Sequence, residues 1–312
     1  MALEMWNMQC PVTTKVPLAK YRRLRWIVAV LVLATSLHSL YWWRLSRALE
    51  DGSQAWIKQK ISAGWKIRSG SVTTGGWPFA VTRSFPDFTA TAPARFGWNP
   101  AHLVLTLGLL RPDYLKVDAP GTHRLMLAGR GDATLTAQRF RMDMKLGSDD
   151  TPLNFDLDLT EIELPLSLPM PFGPSVAHLS AVGQLSHLSD SAEGVPPLVR
   201  QWRDRGGAVD LRQFALHWGK LSLSGKANLA LDERLQPKGE ATVELTGYAD
   251  AIGELAAAGS VSPQAAVLAI AALTMTANDS GTAKVPLQLQ GSQLSMRQIP
   301  LIRVPNLVWP SR

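Results

Sequence analysis

The stretch LNFDLDLTEIELPLSL, residues 153–168, decides the fold, because its apolar side chains occupy every second position. Up to residue 160 the two sets are Leu153, Phe155, Leu157 and Leu159 against Asn154, Asp156, Asp158 and Thr160. Successive side chains of a strand point to opposite faces, so the pattern predicts a strand with one apolar and one wet face. After residue 160 the apolar side chains fall at even-numbered positions: Ile162, Leu164, Leu166 and Leu168. A bulge or bend near Glu161 would keep both sets on one face.

The same period of two recurs before and after this stretch. Its apolar-side positions are Val81, Arg83 and Phe85; Phe140, Met142, Met144 and Leu146; Phe214, Leu216 and Trp218; Leu221 and Leu223; Leu229 and Leu231; and Val285, Leu287 and Leu289. Turn signals such as Gly219-Lys220 and Asp232-Glu233 separate the later segments. Together they predict a mainly β chain, a long antiparallel meander that is apolar on one side and wet on the other.

Two Ala-rich stretches interrupt the strand pattern. Residues 249–258 and 263–277 are separated by a Gly-Ser break and predict a short helical pair, about 249–277, that covers an end or a face of the sheet. A Pro-rich section, 165–174, forms a natural seam. It divides the chain into an N-terminal β half, residues 66–170, and a C-terminal β half, residues 171–312.

A membrane anchor is predicted by the stretch WIVAVLVLATSLHSLYWW, residues 26–43, which has no formal charge. As a helix it reaches about 27 Å, close to the ~30 Å hydrocarbon core of a bilayer. Aromatic residues bracket the run, as is typical of the two membrane interfaces. A cleaved signal peptide or a buried helix are the alternatives, but the run ends without an A-x-A-like site.

The charges around the anchor predict its direction. Five cations precede it, Lys15, Lys20, Arg22, Arg23 and Arg25, and two follow, Arg44 and Arg47. Because positive charge near a span stays on the cytoplasmic side, we expect residues 1–25 to form a cytoplasmic tail and the bulk of the chain to lie outside the cytoplasm. Residues 44–65 have a helical period, which predicts an amphipathic stalk helix that is interrupted near Gly52.

Composition argues against nucleic-acid binding and against disulfide bonds in the exported part. The 312 residues are 46% hydrophobic, enough for a large core, and the net charge of +7 is concentrated at the N-terminus. The exported part is therefore too weakly basic to predict nucleic-acid binding. The single cysteine, Cys10, lies in the tail, so the exported part holds no disulfide of its own.

No motif predicts catalysis, a cofactor or a metal. The chain has no G-x-S-x-G pentapeptide, and the closest match to a phosphate loop, residues 219–227, has the wrong spacing and reads as a turn and strand. The six histidines are scattered without zinc-site spacing. The acidic residues that could suggest calcium are Asp149, Asp150, Asp156 and Asp158, of which the last two fit the wet face of a strand. We expect a protein that is not an enzyme.

Several short motifs, in their order, resemble one known family. They are Gly76-Trp77-Pro78-Phe79, then Trp98-Asn99-Pro100-Ala101-His102, then Leu216-His217-Trp218-Gly219-Lys220-Leu221 with Gly225, and finally Pro237-Lys238-Gly239, Gly247, Gly291 and Ile299-Pro300-Leu301. The chain resembles the proteobacterial envelope family known as domain of unknown function 2125. The resemblance implies an N-terminal inner-membrane anchor, a periplasmic location and an elongated, curved sheet assembly with an apolar concave side.

The motif positions Gly76, Trp77, Pro78, Phe79, Asn99, Pro100, Trp218 and Gly219 are interpreted as structural. The Gly76–Phe79 segment predicts a tight turn in which Trp77 and Phe79 pack against the core. The alternative is an aromatic pair that touches a ligand.

Two hypotheses for function remain open. In the first, the curved sheet presents an apolar groove to a lipid or an acyl chain. In the second, the sheets close on one another into a filled core, and the outer surface binds other envelope proteins as a structural or scaffolding protein. An open apolar cleft would favour the first.

Overall fold

A computed structural model describes residues 18–93, 96–127, 131–147, 151–165, 172–187, 195–296, 299–304 and 306–307. Within these residues the helices are α1 Leu18–Ser62, α2 Val195–Asp204, α3 Tyr248–Ala257 and α4 Pro263–Thr276. The strands are β1 Lys66–Arg68, β2 Thr73–Gly75, β3 Ala80–Pro86, β4 Thr89–Thr91, β5 Gly97–Pro100, β6 His102–Gly108, β7 Arg111–Asp118, β8 Gly121–Leu127, β9 Gly131–Lys145, β10 Leu153–Glu163, β11 Ser175–Leu185, β12 Ala208–Trp218, β13 Leu221–Leu231, β14 Pro237–Thr246, β15 Ala283–Gln290, β16 Gln293–Met296 and β17 Ile299–Arg303. The predicted mainly β fold, with an N-terminal apolar helix and a later helical pair, is confirmed.

The strands form one open antiparallel sheet. From β9 to β17 each strand pairs with the next in chain order, which is the predicted meander. The Pro-rich seam connects β10 and β11, which pair with each other along their length, so the sheet continues across it. The segments Leu221–Leu223 and Leu229–Leu231 belong to the same strand, β13.

The N-terminal part of the sheet divides into two branches that both pair with β9. One branch runs β2–β3–β6–β7 and the other β1–β4–β5–β8. Strand β9 can carry both because it is 15 residues long: its first half pairs with β8 and its second half with β7. Side chains of both branches meet in one core, which includes Phe85, Phe88, Ala90, Leu103, Val117 and Ala119.

The predicted bend near Glu161 is present in β10. Glu161 has a φ of 49°, while Thr160 and Ile162 pair with β9 and β11 in one unshifted register. Ile162 and Leu159 then pack in the same hydrophobic cluster, although they differ in parity. The phase shift thus coincides with a left-handed residue, and the register shows no inserted one; Leu166 and Leu168 lie outside the described residues.

Helix α1 joins the apolar run to the sheet without interruption. It continues through Gly52, where a break was expected. Beyond the run it lies on the sheet, since Leu49 is buried with Val81 of β3 and Leu107 of β6, and Leu45 packs against the same cluster. The segment predicted as a stalk is thus a helix whose one side is part of the hydrophobic core.

The N-terminal part of α1 is long and apolar enough to cross a membrane, and its apolar window is not buried by the rest of the chain. Leu31 and Leu33 are each 60% exposed. This fits a single-pass membrane anchor. Of the predicted tail, residues 1–17 with Cys10 lie outside the described residues, and residues 18–25 already belong to α1.

The helical pair α3–α4 covers the far end of the meander. Tyr248 of α3 is buried with Ala283 and Val285 of β15, and Leu273 of α4 packs against this cluster. Ser262 caps α4 by accepting a hydrogen bond from the Ala265 N–H (3.3 Å), with Pro263 in the first turn.

Candidate functional site

One face of the sheet is apolar from β9 to β16, and the register shows that it is continuous. Leu157 lies opposite Met142 and Ala181, and farther along Leu223 lies opposite Leu216 and Leu245. Directly paired residues project from the same side of a sheet. We call the part between β10 and β15 the open face; its members include Phe155, Leu157, Leu159, Leu179, Ala181, Phe214, Leu216, Leu223, Leu229, Leu245, Leu287 and Leu289.

The open face differs from the covered parts of the same surface by its exposure. Leu157, Leu216 and Leu223 are half-buried, whereas Val81 is 0% exposed under α1 and Val285 is 1% exposed beside the helical pair. The apolar surface is thus closed at one end by α1 and the second N-terminal branch, and at the other end by α3–α4. Between these ends it presents half-buried aliphatic side chains, of which Leu245 and Leu287 still pack against the cluster beside the helical pair.

Apolar contacts connect the open face with helix α1. Trp42 and Leu45 of α1 pack in a cluster with Leu105 and Leu115, and these two leucines also pack in the core formed by the branches. Met144 belongs to that core and lies opposite Phe155 of the open face. A continuous path of apolar side chains therefore leads from the apolar run of α1 to the open face.

The opposite face of the sheet is polar and carries two solvent-open cavities. One, of about 760 Å³, is lined by charged side chains that include Asp210, Arg212, Lys226 and Glu240. The other, of about 720 Å³, lies beside Lys116, Asp143 and Lys145. Because both have charged linings, neither is the apolar cleft expected for an acyl chain.

The acidic residues considered for calcium fall on this polar face. Asp158 Oδ2 is 3.1 Å from His178 Nε2, and Arg139 lies 3.6 Å from the other carboxylate oxygen. Among the described residues no group of three or more His, Cys, Asp or Glu is placed to hold a metal ion. Asp149 and Asp150 lie outside the described residues. The wet-face interpretation of Asp156 and Asp158 agrees with this geometry.

The first motif forms a turn between β2 and β3. Gly76 has a φ of 94°, and a Cβ there would lie 2.6 Å from the Ala80 carbonyl oxygen, so the position requires glycine. The Phe79 and Ala80 N–H groups donate to the Gly76 carbonyl. Trp77 is 54% exposed and Phe79 86% exposed, so the expectation that both rings pack into the core is wrong. The bond between Trp77 and Pro78 is cis.

The later motif positions contact neighbouring segments of the sheet, and of the four only Pro100 is buried. Trp218 Nε1 donates to the Gly173 carbonyl (2.9 Å), and its ring packs edge-on against Phe172. Gly219 follows with a φ of 58°, where a Cβ would lie 2.8 Å from the Phe172 carbonyl oxygen. Pro100 is fully buried at the end of β5, and Asn99 Oδ1 is buried with no hydrogen-bond partner among the residues that the structure describes.

One buried histidine, His123, lies opposite Pro100 in the sheet and was not identified from the sequence. His123 is 2% exposed, and its ring is nearly parallel to that of Trp98, whose Nε1 donates to His123 Nδ1 (3.2 Å). Burial lowers the pKa of His123, an effect that the Ala119 backbone partly opposes. The position of His123 opposite Pro100 depends on the pairing of β5 with β8, which no local pattern indicates.

We expect His123 to make the protein less stable at mildly acidic pH. Its folded pKa is lower than its ordinary value of 6.5, so the unfolded chain binds the proton first and stability falls as the pH falls below that value. The loss should develop as the pH falls from 7.5 to 5.5, and it cannot exceed about 1.4 kcal/mol per pH unit, the limit for one proton. Urea unfolding at the two pH values measures it, and His123→Gln should abolish it. An unchanged slope in His123→Gln would contradict the assignment.

Comparison with known proteins gives one match. A family described as "Uncharacterized protein conserved in bacteria (DUF2125)" matches residues 42–169 and 133–305. These segments include all of the motif positions described above. No curated protein and no solved structure matches the chain.

Proposed function

The chain belongs to the bacterial DUF2125 family, and from that premise we propose that it is a membrane-anchored, non-enzymatic protein whose open face binds a lipid acyl chain. Its location would be the inner membrane, with the N-terminus in the cytoplasm and the body in the periplasm. The charges before and after the apolar run support this direction.

The observation that carries the proposal is the continuous row of half-buried aliphatic side chains across β10 to β15. Six strands span about 24 Å at roughly 4.8 Å per step, whereas one acyl chain occupies half of a hydrocarbon core, about 15 Å. The open face is therefore long enough for a chain to lie across it. Large exposed apolar surfaces on proteins mark sites of interaction.

A lipid suits this surface better than a polar ligand. Leu157, Leu216 and Leu223 offer methyl groups and no hydrogen-bonding side chain, so they can recognise hydrocarbon but not a headgroup. The path of apolar contacts from Trp42 of the anchor to Phe155 supports a source of the ligand in the adjacent bilayer.

A scaffolding function is the second candidate, and one observation favours it. The outer side of α4 exposes Val267 (67%), Leu268 (71%) and Met275 (87%), although the helix packs on the sheet with its other side. Such a surface is suited to an apolar protein partner. In that case the N-terminal core would serve only as a rigid support.

A photolabelling experiment tests the lipid proposal. The full-length protein is reconstituted in vesicles of phosphatidylethanolamine and phosphatidylglycerol that contain a phospholipid with a diazirine in its acyl chain. After illumination we expect labelled peptides from residues 153–160 and 211–223, in addition to the anchor. Leu223→Glu should reduce labelling of the open face about tenfold, because a carboxylate would have to be desolvated beside the chain.

The control is the neighbouring residue on the other face. Ser224 is also half-buried in β13, but it projects from the polar side, so Ser224→Glu should leave the labelling unchanged. Labelling of residues 26–43 should persist in both variants. If only the anchor region is labelled in the wild type, the lipid proposal fails. Crosslinks from α4 to another protein would then support the scaffolding function.

A further inference from the structure

Two turns at one end of the sheet expose large apolar side chains side by side. The turn between β2 and β3 presents Trp77 and Phe79, and the turn between β6 and β7 presents Leu110, which is 98% exposed. The turns are adjacent, since the Leu109 N–H donates to the Phe79 carbonyl (3.5 Å). We call Trp77, Phe79 and Leu110 the apolar tips.

Both turns are hydrogen-bonded to the apolar run of α1. His38 Nε2 donates to the Pro78 carbonyl (2.7 Å), and the Tyr41 hydroxyl donates to the Leu109 carbonyl (3.0 Å). Trp42 Nε1 donates to the Ala80 carbonyl (2.7 Å). His38 precedes the end of the run at Trp43 by about 7.5 Å along the helix axis. The tips therefore lie at the depth of the last turns of the membrane span.

Several backbone polar groups of these two turns are hydrogen-bonded within the protein, as an apolar environment requires. The N–H groups of Phe79 and Ala80 donate to the Gly76 carbonyl, and Pro78 has no N–H. The carbonyls of Pro78 and Leu109 accept the bonds from α1 described above. Backbone groups that enter hydrocarbon must be paired within the protein, because no water is present there.

Cationic side chains border the tips on the side of the body. Arg111 follows Leu110, with its guanidinium 5.3 Å from the Tyr114 ring centre, and Arg47 lies 5.6 Å from the ring centre of Trp43. Arginine and aromatic pairs are typical of the headgroup level, where the charge meets phosphate and the ring meets the chains.

From these four observations we propose that the apolar tips insert into the membrane leaflet that is nearer to the sheet. This end of the sheet would then rest on the bilayer surface. The occupant of this surface is membrane lipid, because the surface is continuous with the membrane-spanning part of α1. The orientation of the body is then fixed by three contacts with lipid as well as by the helix. The inference rests on anchoring by α1 and is independent of lipid binding by the open face.

Spin labels report the depth of the tips directly. With Cys10→Ser as background, single cysteines are introduced as Phe79→Cys, Leu110→Cys and, for comparison, Met275→Cys on α4. Phe79 and Met275 are equally exposed, at 86% and 87%, so their labels differ only in surroundings. The labelled full-length protein is reconstituted in vesicles of phosphatidylcholine and phosphatidylglycerol. Collision rates with oxygen and with a water-soluble nickel chelate are then measured.

We expect the nickel chelate to reach the labels at 79 and 110 about tenfold less often than the label at 275, with a matching preference for oxygen. Asp156→Cys on the polar face gives a second aqueous reference. If the labels at 79 and 110 collide with the nickel chelate as often as the label at 156, the proposed insertion of the apolar tips is refuted. Since the readout does not depend on the open face, it can fail or succeed without deciding the proposed function.

Discussion

Gly225→Ala is expected to lower the free energy of unfolding by about 3 kcal/mol, the largest effect that we predict for a single methyl group. Gly225 lies in β13, and a Cβ there would lie 2.1 Å from the Thr242 carbonyl oxygen and 3.1 Å from the Val243 Cα. Both atoms belong to the backbone of β14, which pairs with β13 along its whole length. The methyl group can therefore be accommodated only if the two strands separate. Urea unfolding of the detergent-solubilised protein, followed by tryptophan fluorescence, measures the change.

The control is a substitution at another glycine, for which we expect the free energy of unfolding to rise and not to fall. Gly253 lies inside α3, and a Cβ there would meet no atom within 4 Å. Gly253→Ala should therefore stabilise the protein by about 0.5–1 kcal/mol, because alanine loses less backbone entropy in a helix. If both variants shift stability in the same direction, the steric explanation is wrong.

Glu50→Ala is expected to destabilise the contact between α1 and the sheet by about 2–3 kcal/mol. Arg83 projects from β3 under the helix and is 7% exposed, and its guanidinium lies 3.4 Å from the Glu50 carboxylate. Arg83 Nε has no hydrogen-bond partner among the described residues. Removal of Glu50 leaves a buried cation without its counter-charge, so the helix should separate from β3 at lower urea concentration.

Two further variants distinguish the contribution of the Glu50–Arg83 ion pair from other effects of substitutions in α1. Arg47 is also near Glu50, at 3.8 Å, but its side chain is 61% exposed, so Arg47→Ala should cost less than about 0.5 kcal/mol. The double variant Arg83→Met with Glu50→Gln should stay within about 1 kcal/mol of the wild type, because it removes both charges together. A Glu50→Ala variant as stable as Arg47→Ala would contradict the prediction.

Arg83 also shows what a sequence period can and cannot reveal. The alternation of Val81, Arg83 and Phe85 places the arginine on the apolar side of its strand, and the structure agrees, since Arg83 lies opposite Leu105. The sequence offered no reason for a charge there. The reason is Glu50, which a long helix brings to the same point from a different part of the chain.

The pairing of the N-terminal strands was likewise beyond local reasoning. Strand β3 pairs with β6, and β5 pairs with β8, so in each case two strands lie between the partners in sequence. Such a pairing depends on which long-range contacts bury the most apolar surface. The meander from β9 onward was predictable, because each strand there pairs with its immediate neighbour in the chain.

The candidate site was predicted in part. The period of Leu153–Leu159 indicates an apolar face, and the structure shows the same face extended through Leu216 and Leu223. The motif around Trp77 was interpreted as a packed turn, whereas its rings are exposed beside the apolar run of α1. Large apolar residues in a turn look alike in sequence whether they face a core or a membrane.

The sequence alone determined the mainly β class, the period of two in β3, β9, β10, β12, β13 and β15, the single apolar face, the helical pair and an apolar helix long enough to span a bilayer. Each of these depends on the period or composition of neighbouring residues, which can be read locally. The tertiary structure decided which part of the apolar face α1 covers, which part α3–α4 covers and which part stays open, and it placed the Trp77 turn beside His38. Coverage of a surface depends on contacts between distant residues, and such contacts leave no period in the chain.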